Sequence, residues 1–108
     1  MILNELWRLY KTDKQIQGFS PNTLKAYALQ FKMLAIELGG EINVSEITLS
    51  LLKGYIAKQS ERLKPSSLGH RIRFVRSLFR FAYEETYLPY NPSLKLRNQK
   101  WKNEFLNF

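Results

Sequence analysis

Apolar residues recur at intervals of three and four positions along most of the chain, the spacing of helices that bury one face. The segments with this spacing predict four helices, at about 2–17, 21–38, 49–61 and 65–86. No segment shows the sustained alternation of apolar and polar positions that is typical of strands. The sequence therefore predicts an all-α domain, built as a four-helix bundle or as two helical hairpins packed crosswise.

Local signals mark the ends of these helices. Ser20 and Thr48 each precede a helical segment, where a hydroxyl accepts a free backbone N–H, and Pro21 suits a first turn. Gly18 follows the first segment and is expected to end it. The fourth segment carries an apolar stripe that is expected to be buried, comprising Leu68, Ile72, Val75, Leu78, Phe79 and Ala82.

The charge of the chain points to a polyanionic partner. The 108 residues include 17 Lys and Arg and 9 Asp and Glu, a net charge of +8. So large an excess on one small domain favours nucleic acid or an anionic membrane surface. Residues 1–63 hold 8 basic and 6 acidic residues, whereas residues 64–108 hold 9 and 3. The segment 64–80 has no acidic residue, so most of the excess lies late in the chain.

The sequence lacks the residues that several kinds of functional site require. The chain has no Cys and a single His, which excludes disulfides, thiolate chemistry and Cys/His zinc sites. Glu84 and Glu85 are the only acidic pair, and adjacent helical positions point apart, so neither a metal nor a cofactor is expected. No apolar run is long enough to span a membrane. The first residues include the acidic Glu5 and lack the basic residues with which a secretory signal begins. A cytoplasmic protein without a membrane partner is expected.

The fourth helix has a second, basic face opposite its apolar stripe. Ser66, His70, Arg73, Ser77 and Arg80 follow one another at spacings of 4, 3, 4 and 3. One α-helix fits the major groove of DNA, where Arg can bind guanine or phosphate. Polar residues also follow the start of the second helix. The predicted DNA-binding residues are Asn22, Thr23, Lys25, Ser66, Ser67, His70, Arg71, Arg73, Arg76 and Arg80.

Four segments together resemble the core-binding domain of tyrosine recombinases, the phage-integrase family. Residues 20–27 (SPNTLKAY) resemble its xxTLxxY opening, and residues 66–83 (SSLGHRIRFVRSLFRFAY) resemble its last long helix. Residues 46–56 are similar to its middle helix, and Asn91-Pro92 followed by Leu94 matches its NP exit. The resemblance extends over about residues 2–96.

This resemblance implies a SAM-like four-helix domain that lays its second and fourth helices in the major groove. A separate catalytic domain would clamp the opposite side of a recombination core site, together with other protomers on the DNA. Residues 1–92 would form the core-binding domain, and residues 93–108 a basic tail toward an absent catalytic domain. The chain departs from the family at His70, where Arg is frequent, and at Arg73, where a small residue is frequent.

The resemblance assigns the chemistry to residues outside this chain. The family cleaves DNA with a Tyr nucleophile, an Arg pair, a His-x-x-Arg box and a Lys. His70 and Arg73 have the spacing of that box, but they lie in the helix that matches the core-binding domain. No catalytic residue is therefore expected here, and the parent protein is expected to be a prokaryotic, phage or mobile-element recombinase.

Two other functions compete with this one. The chain can be a non-enzymatic helical module whose basic face meets an acidic protein or a membrane. The row Leu29, Met33 and Ile36 on the second helix supports some protein contact, although we expect it to pack on the first helix. A helix-turn-helix regulator is the third option, but the break at 65–67 lacks the tight glycine turn of that motif.

Overall fold

Four helices and their connections make up the described part of the protein. The structure, a computed structural model, describes residues 1–97 of the chain. Its helices are α1 (Leu3–Ile16), α2 (Pro21–Leu38), α3 (Leu49–Ser60) and α4 (Pro65–Glu84), with a 3-10 turn at Val44–Glu46 between α2 and α3. Within this range the only extended pairing is an isolated bridge between Ile2 and Asn43. The predicted all-α class is confirmed.

The predicted capping signals act as expected. The Ser20 hydroxyl accepts the N–H of Thr23 at 3.2 Å, with Pro21 in the first turn of α2. The Thr48 hydroxyl accepts the N–H of Leu51 at 3.2 Å. Gly18, which follows α1, has φ 87°, a backbone conformation that costs glycine little. These ends are set by contacts within four residues, which explains why the sequence reveals them.

The first backbone N–H groups of α1 find their hydrogen-bond acceptors in a segment that is distant in the sequence. No side chain caps it, although the first N–H groups of a helix lack partners within the helix. The N–H groups of Leu3 and Asn4 donate instead to the carbonyl oxygens of Ile42 and Gly40, each at 2.9 Å. The α2–α3 connector therefore holds the chain's first helix in place.

Helix α4 ends two residues before the predicted position. Thr86 has φ 64°, which is unfavourable for a β-branched residue and stops the helical progression. The N–H groups of Tyr87 and Leu88 then donate to the carbonyl oxygen of Ala82, at 2.9 and 3.2 Å. The chain thus leaves α4 at a closed turn.

Two helical hairpins pack across each other, and α2 and α4 each touch the other three helices. The most extensive contacts join α1 to α2 and α3 to α4, and α4 also touches α1 and α2. All six residues of the predicted apolar stripe of α4 are buried. Phe74 and Phe81 are buried as well, because they meet the ring of Tyr10 edge-on at 5.9 and 5.5 Å. Helix α4 is therefore covered on more sides than a one-stripe pattern predicts.

The expected packing of one apolar row on α2 is wrong for two of its members. Leu29 is 54% exposed and Ile36 is 68% exposed, so neither packs on α1. Met33 alone contacts the core. Helix α2 meets its neighbours through Phe31 and Leu34 instead, which leaves these two side chains on the opposite face.

The first residues of the predicted tail belong to the packed structure. Ser93 is fully buried and Leu96 is 3% exposed. The aromatic residues later in the tail, Trp101, Phe105 and Phe108, lie outside the described residues. Among the described helices, none combines the length and the hydropathy that crossing a bilayer requires.

Candidate nucleic-acid interface

One face of α4 is open to solvent along most of its length. It carries Ser66, His70, Arg73, Arg76 and Arg80, all of which are exposed. These positions fall on one side of a helix because it turns 100° per residue. At about 1.5 Å per residue, the face extends about 21 Å from Ser66 to Arg80. No acidic residue stands between those two positions. The structure therefore brings these five predicted residues together.

Arg71 does not belong to this exposed face. Its Nε donates to Oε1 of Gln59 at 3.0 Å, and its Nη1 donates to Oε1 of Gln30 at 2.7 Å. The side chain thus joins α4 to both α3 and α2, and two of its N–H donors are used within the protein. Its spacing to the buried Phe74 and Val75, three and four residues later, is the sequence signal that could have revealed this. Ser67 lies on the same flank and is half-buried.

Ser77 does not belong to the exposed face either. Its hydroxyl lies 2.8 Å from the hydroxyl of Tyr10, which is fully buried. Burial raises the pKa of Tyr10 to about 12, while the bond to Ser77 acts in the opposite direction. The row of polar residues predicted from spacing therefore loses one member to the contact with α1.

Arg76 has a protein partner but stays exposed. Its Nη1 donates to the carbonyl oxygen of Leu96 at 2.8 Å. A carbonyl oxygen has no formal charge, so this bond orients the guanidinium without neutralising it. Arg73 makes no hydrogen bond or ion pair with any residue in the range 1–97.

Arg80 lies where acidic residues converge. It lines a polar cleft together with Asp13 from α1 and with Glu84 and Glu85 after it on the chain. The segment 64–80 is free of acidic residues in the sequence, but the fold brings Asp13 beside it. Lys14 lines the same cleft and pairs with Asp13 at 3.5 Å. Arg80 thus lies among charges of both signs, whereas Arg73 and Arg76 do not line this cleft.

The start of α2 offers two exposed polar side chains. Asn22 and Lys25 face solvent, and neither makes a hydrogen bond or ion pair within the described structure. Thr23 is half-buried, and its hydroxyl lies 3.0 Å from the hydroxyl of Ser20. Thr23 is thus part of the helix cap as well as a predicted DNA-binding residue.

Helices α2 and α4 run in opposite directions where they touch. The ring of Tyr27 lies 5.8 Å from that of Phe74, and Gln30 binds Arg71. Moving toward the start of α2 therefore moves toward the end of α4. The polar start of α2 therefore lies beyond Phe74, beside the second half of α4, whereas Ser66 lies about 12 Å before Phe74 along the axis.

The described part of the protein contains no cluster of metal-binding side chains. Across residues 1–97, no three His, Asp or Glu side chains are grouped closely enough to hold a metal ion. His70 and Arg73 both lie on the exposed face of α4.

The fold is that of the SAM-like N-terminal domain of integrases. It superposes on a lambda integrase, solved as a dimer bound to a COC' core site, with a TM-score of 0.80 and 19% identity. The match covers 91% of this chain and 36% of that one.

The sequence identifies the family independently. Residues 7–86 match the family of the phage integrase N-terminal SAM-like domain, and the chain belongs to this family. Two similar proteins are the tyrosine recombinases XerC of Bifidobacterium longum strain DJO10A and of B. longum subsp. infantis. Each is 34% identical over 85 residues, which cover 77% of this chain and 24% of the relative. The chain thus spans about a quarter of the length of these relatives.

Proposed function

We propose that this chain is the DNA-binding core domain of a phage-type tyrosine recombinase. It clamps core-site duplex DNA by laying α2 and α4 in the major groove, and strand cleavage and rejoining take place in a separate catalytic domain. The observation that carries the proposal is the exposed basic face of α4, centred on Arg73 and Arg76. Family membership and the DNA-bound lambda integrase of the same fold support it.

The two helices have different tasks in this proposal. The exposed face of α4 enters the major groove, which is about 12 Å wide, and the start of α2 lies at the edge of the groove. Arg73 and His70 face the base edges or the flanking phosphates. Asn22 and Lys25, at the start of α2, contact the phosphate backbone beside the second half of α4. Arg71 is left out, because its hydrogen bonds serve the packing of three helices.

The proposal extends to the setting of the parent protein. Residues 93–108 connect the domain to the catalytic domain, and other protomers bind the same core site. The parent acts in the cytoplasm of a prokaryote, where its DNA substrate lies. The chain itself supplies positioning and affinity, and no covalent step is assigned to its residues.

A salt titration tests the proposal. If Lys25, Arg73, Arg76 and Arg80 neutralise phosphates, the logarithm of the affinity for a duplex of about 25 bp falls linearly with log[salt], with a slope of roughly −3 to −4. We expect weak affinity, because the domain forms half of a clamp. Binding that is independent of salt would overturn the proposal.

Replacing one arginine sharpens the test. Arg73→Ala is expected to lower the affinity roughly tenfold and to reduce the magnitude of the salt slope by about 1. Lys53→Ala, on the exposed side of α3, is the matched control and should change both quantities little. Equal effects of the two substitutions would show that binding does not use the face of α4.

A second candidate function rests on a different observation. Leu29 and Ile36 are exposed on α2, one and three turns beyond Lys25. A non-enzymatic module that binds an acidic protein would use such apolar residues beside basic ones. Leu29→Ser should then weaken binding to that partner and leave duplex binding unchanged. A membrane is less suited, because the apolar stripe of α4 is buried in the core.

A further inference from the structure

We propose that the first turn of the tail holds Arg76 in its DNA-binding position. Docking of the tail on the helical bundle is then coupled to DNA binding. In this arrangement the carbonyl group of Leu96 is a positioning group for Arg76. The inference rests on the proposed function, and it adds a coupling between DNA binding and the segment that leads out of the domain.

The acceptor of this hydrogen bond is itself fixed by short-range contacts. Oδ1 of Asn91 accepts the N–H and the hydroxyl of Ser93, at 2.9 and 2.8 Å. The carbonyl oxygen of Ser93 accepts the N–H of Leu96 at 3.0 Å. The side chains of Ser93 and Leu96 are buried in the bundle. The carbonyl oxygen of Leu96 therefore has a defined place beside α4.

Arg76 retains its capacity for a second partner. A guanidinium has five N–H donors, and Arg76 uses one of them, on Nη1, within residues 1–97. The side chain is exposed, and within residues 1–97 it forms no ion pair with a carboxylate. It can thus bind Leu96 and a phosphate at the same time.

Holding the side chain in place favours binding. An arginine side chain that moves freely on the protein surface loses rotamer entropy when it binds a phosphate. Arg76 has lost part of that freedom already, through its bond to Leu96. Docking of the tail is therefore expected to raise DNA affinity by roughly three- to tenfold. By linkage, DNA raises the stability of the docked tail by the same factor.

A double-mutant cycle on the 108-residue chain tests this coupling. The affinity for a labelled duplex is measured for the unchanged chain, Arg76→Ala, Leu96→Ala and the double variant. Leu96→Ala is expected to weaken binding roughly three- to tenfold when Arg76 is present, and hardly at all in the Arg76→Ala background. The same cycle with Arg73→Ala is the control, and its effects should add, because Arg73 makes no hydrogen bond with the described residues of the tail, 93–97.

The outcomes separate this inference from the function it rests on. Additive effects in both cycles overturn the coupling and leave DNA binding intact. Stronger binding by Leu96→Ala also overturns it, since the tail would then compete with DNA for Arg76. No duplex binding by the unchanged chain overturns the proposed function and the coupling together. Circular dichroism of each variant confirms that the helices are retained.

Hydrogen exchange gives a second test that needs no substitution. The N–H groups of Leu94 and Leu96 donate to the carbonyl oxygens of Asn91 and Ser93, so their exchange reports opening of the tail. Saturating duplex is expected to slow this exchange roughly three- to tenfold, by the reciprocity of the coupling. Unchanged or faster exchange in the DNA-bound chain would contradict the inference.

Discussion

The two flanks of α4 bury polar groups in opposite ways. On the flank toward α1, the buried hydroxyl of Tyr10 meets the hydroxyl of Ser77 at 2.8 Å. On the flank toward α3, Tyr55 is 1% exposed, and its hydroxyl has no hydrogen-bond partner among the described residues. The same side chain at the same depth therefore stabilises one contact and costs free energy in the other. Burial alone does not determine what a polar group contributes.

Arg71 supplies the polar contacts on the α3 flank. It binds Gln59, which is 6% exposed, and Gln30 on α2. Its charge also acts on Tyr55 and lowers the pKa that burial raises. The flank is thus held together by one arginine with two amide partners, while the α1 flank relies on a hydroxyl pair between aromatic rings.

Among single substitutions, the largest effect is expected from removing Arg71. Arg71→Met leaves the side-chain oxygens of Gln30 and Gln59 without their donor, which should lower the free energy of unfolding by about 2–3 kcal/mol. Arg73→Met, two residues later on the exposed face, is the control and should change it by less than about 0.5 kcal/mol. Urea denaturation measures both. Equal destabilisation would mean that Arg71 has no special role in packing.

Alkaline pH should act on both flanks together. Burial raises the pKa of Tyr10 and of Tyr55 from 10.0 to about 12. Between these values the unfolded chain releases protons that the folded chain retains, so the free energy of unfolding falls as the pH rises from 10 to 12. Each tyrosine contributes on the order of 2 kcal/mol to this loss. Denaturant titrations across that pH range measure it.

A variant separates this loss from other alkaline effects. The double substitution Tyr10→Phe and Tyr55→Phe removes both groups and should flatten the fall in stability between pH 10 and 12. An equally steep fall in the double variant would show that other groups cause it.

The sharpest contrast between the flanks comes from the single tyrosine substitutions. Tyr10→Phe leaves the hydroxyl of Ser77 without its partner and should destabilise the fold by about 1–1.5 kcal/mol. Tyr55→Phe removes a hydroxyl that has no partner, so its effect should be within about 0.5 kcal/mol of zero or stabilising. Thermal unfolding of the two variants provides the measurement. A larger loss from Tyr55→Phe would reverse the comparison.

Much of the candidate interface follows from spacing along one helix. Ser66, His70, Arg73, Arg76 and Arg80 are predicted on one side of α4, and all five are exposed there. Helical periodicity is a local property, so the sequence reveals which residues share a face. Whether these residues contact DNA remains a prediction, as does the boundary of the core-binding domain at residue 92.

The sequence alone determined the properties that depend on neighbours within a few residues. These are the four helices, the caps at Ser20 and Thr48, the turn at Gly18, the basic segment 64–80 and the resemblance to the integrase family. Each arises from hydrogen bonds within one turn, from periodicity or from a short motif.

Only the tertiary structure decided which polar side chains are free to bind a partner. Arg71 forms a hydrogen bond with Gln30, 41 residues away, and Ser77 forms one with Tyr10, 67 residues away. Arg76 gains the carbonyl oxygen of Leu96, 20 residues away. A helical repeat cannot specify these partners, because they come from other helices and from the tail. The sequence therefore predicts the basic face of α4, whereas the fold determines which of its polar side chains pack against other parts of the protein.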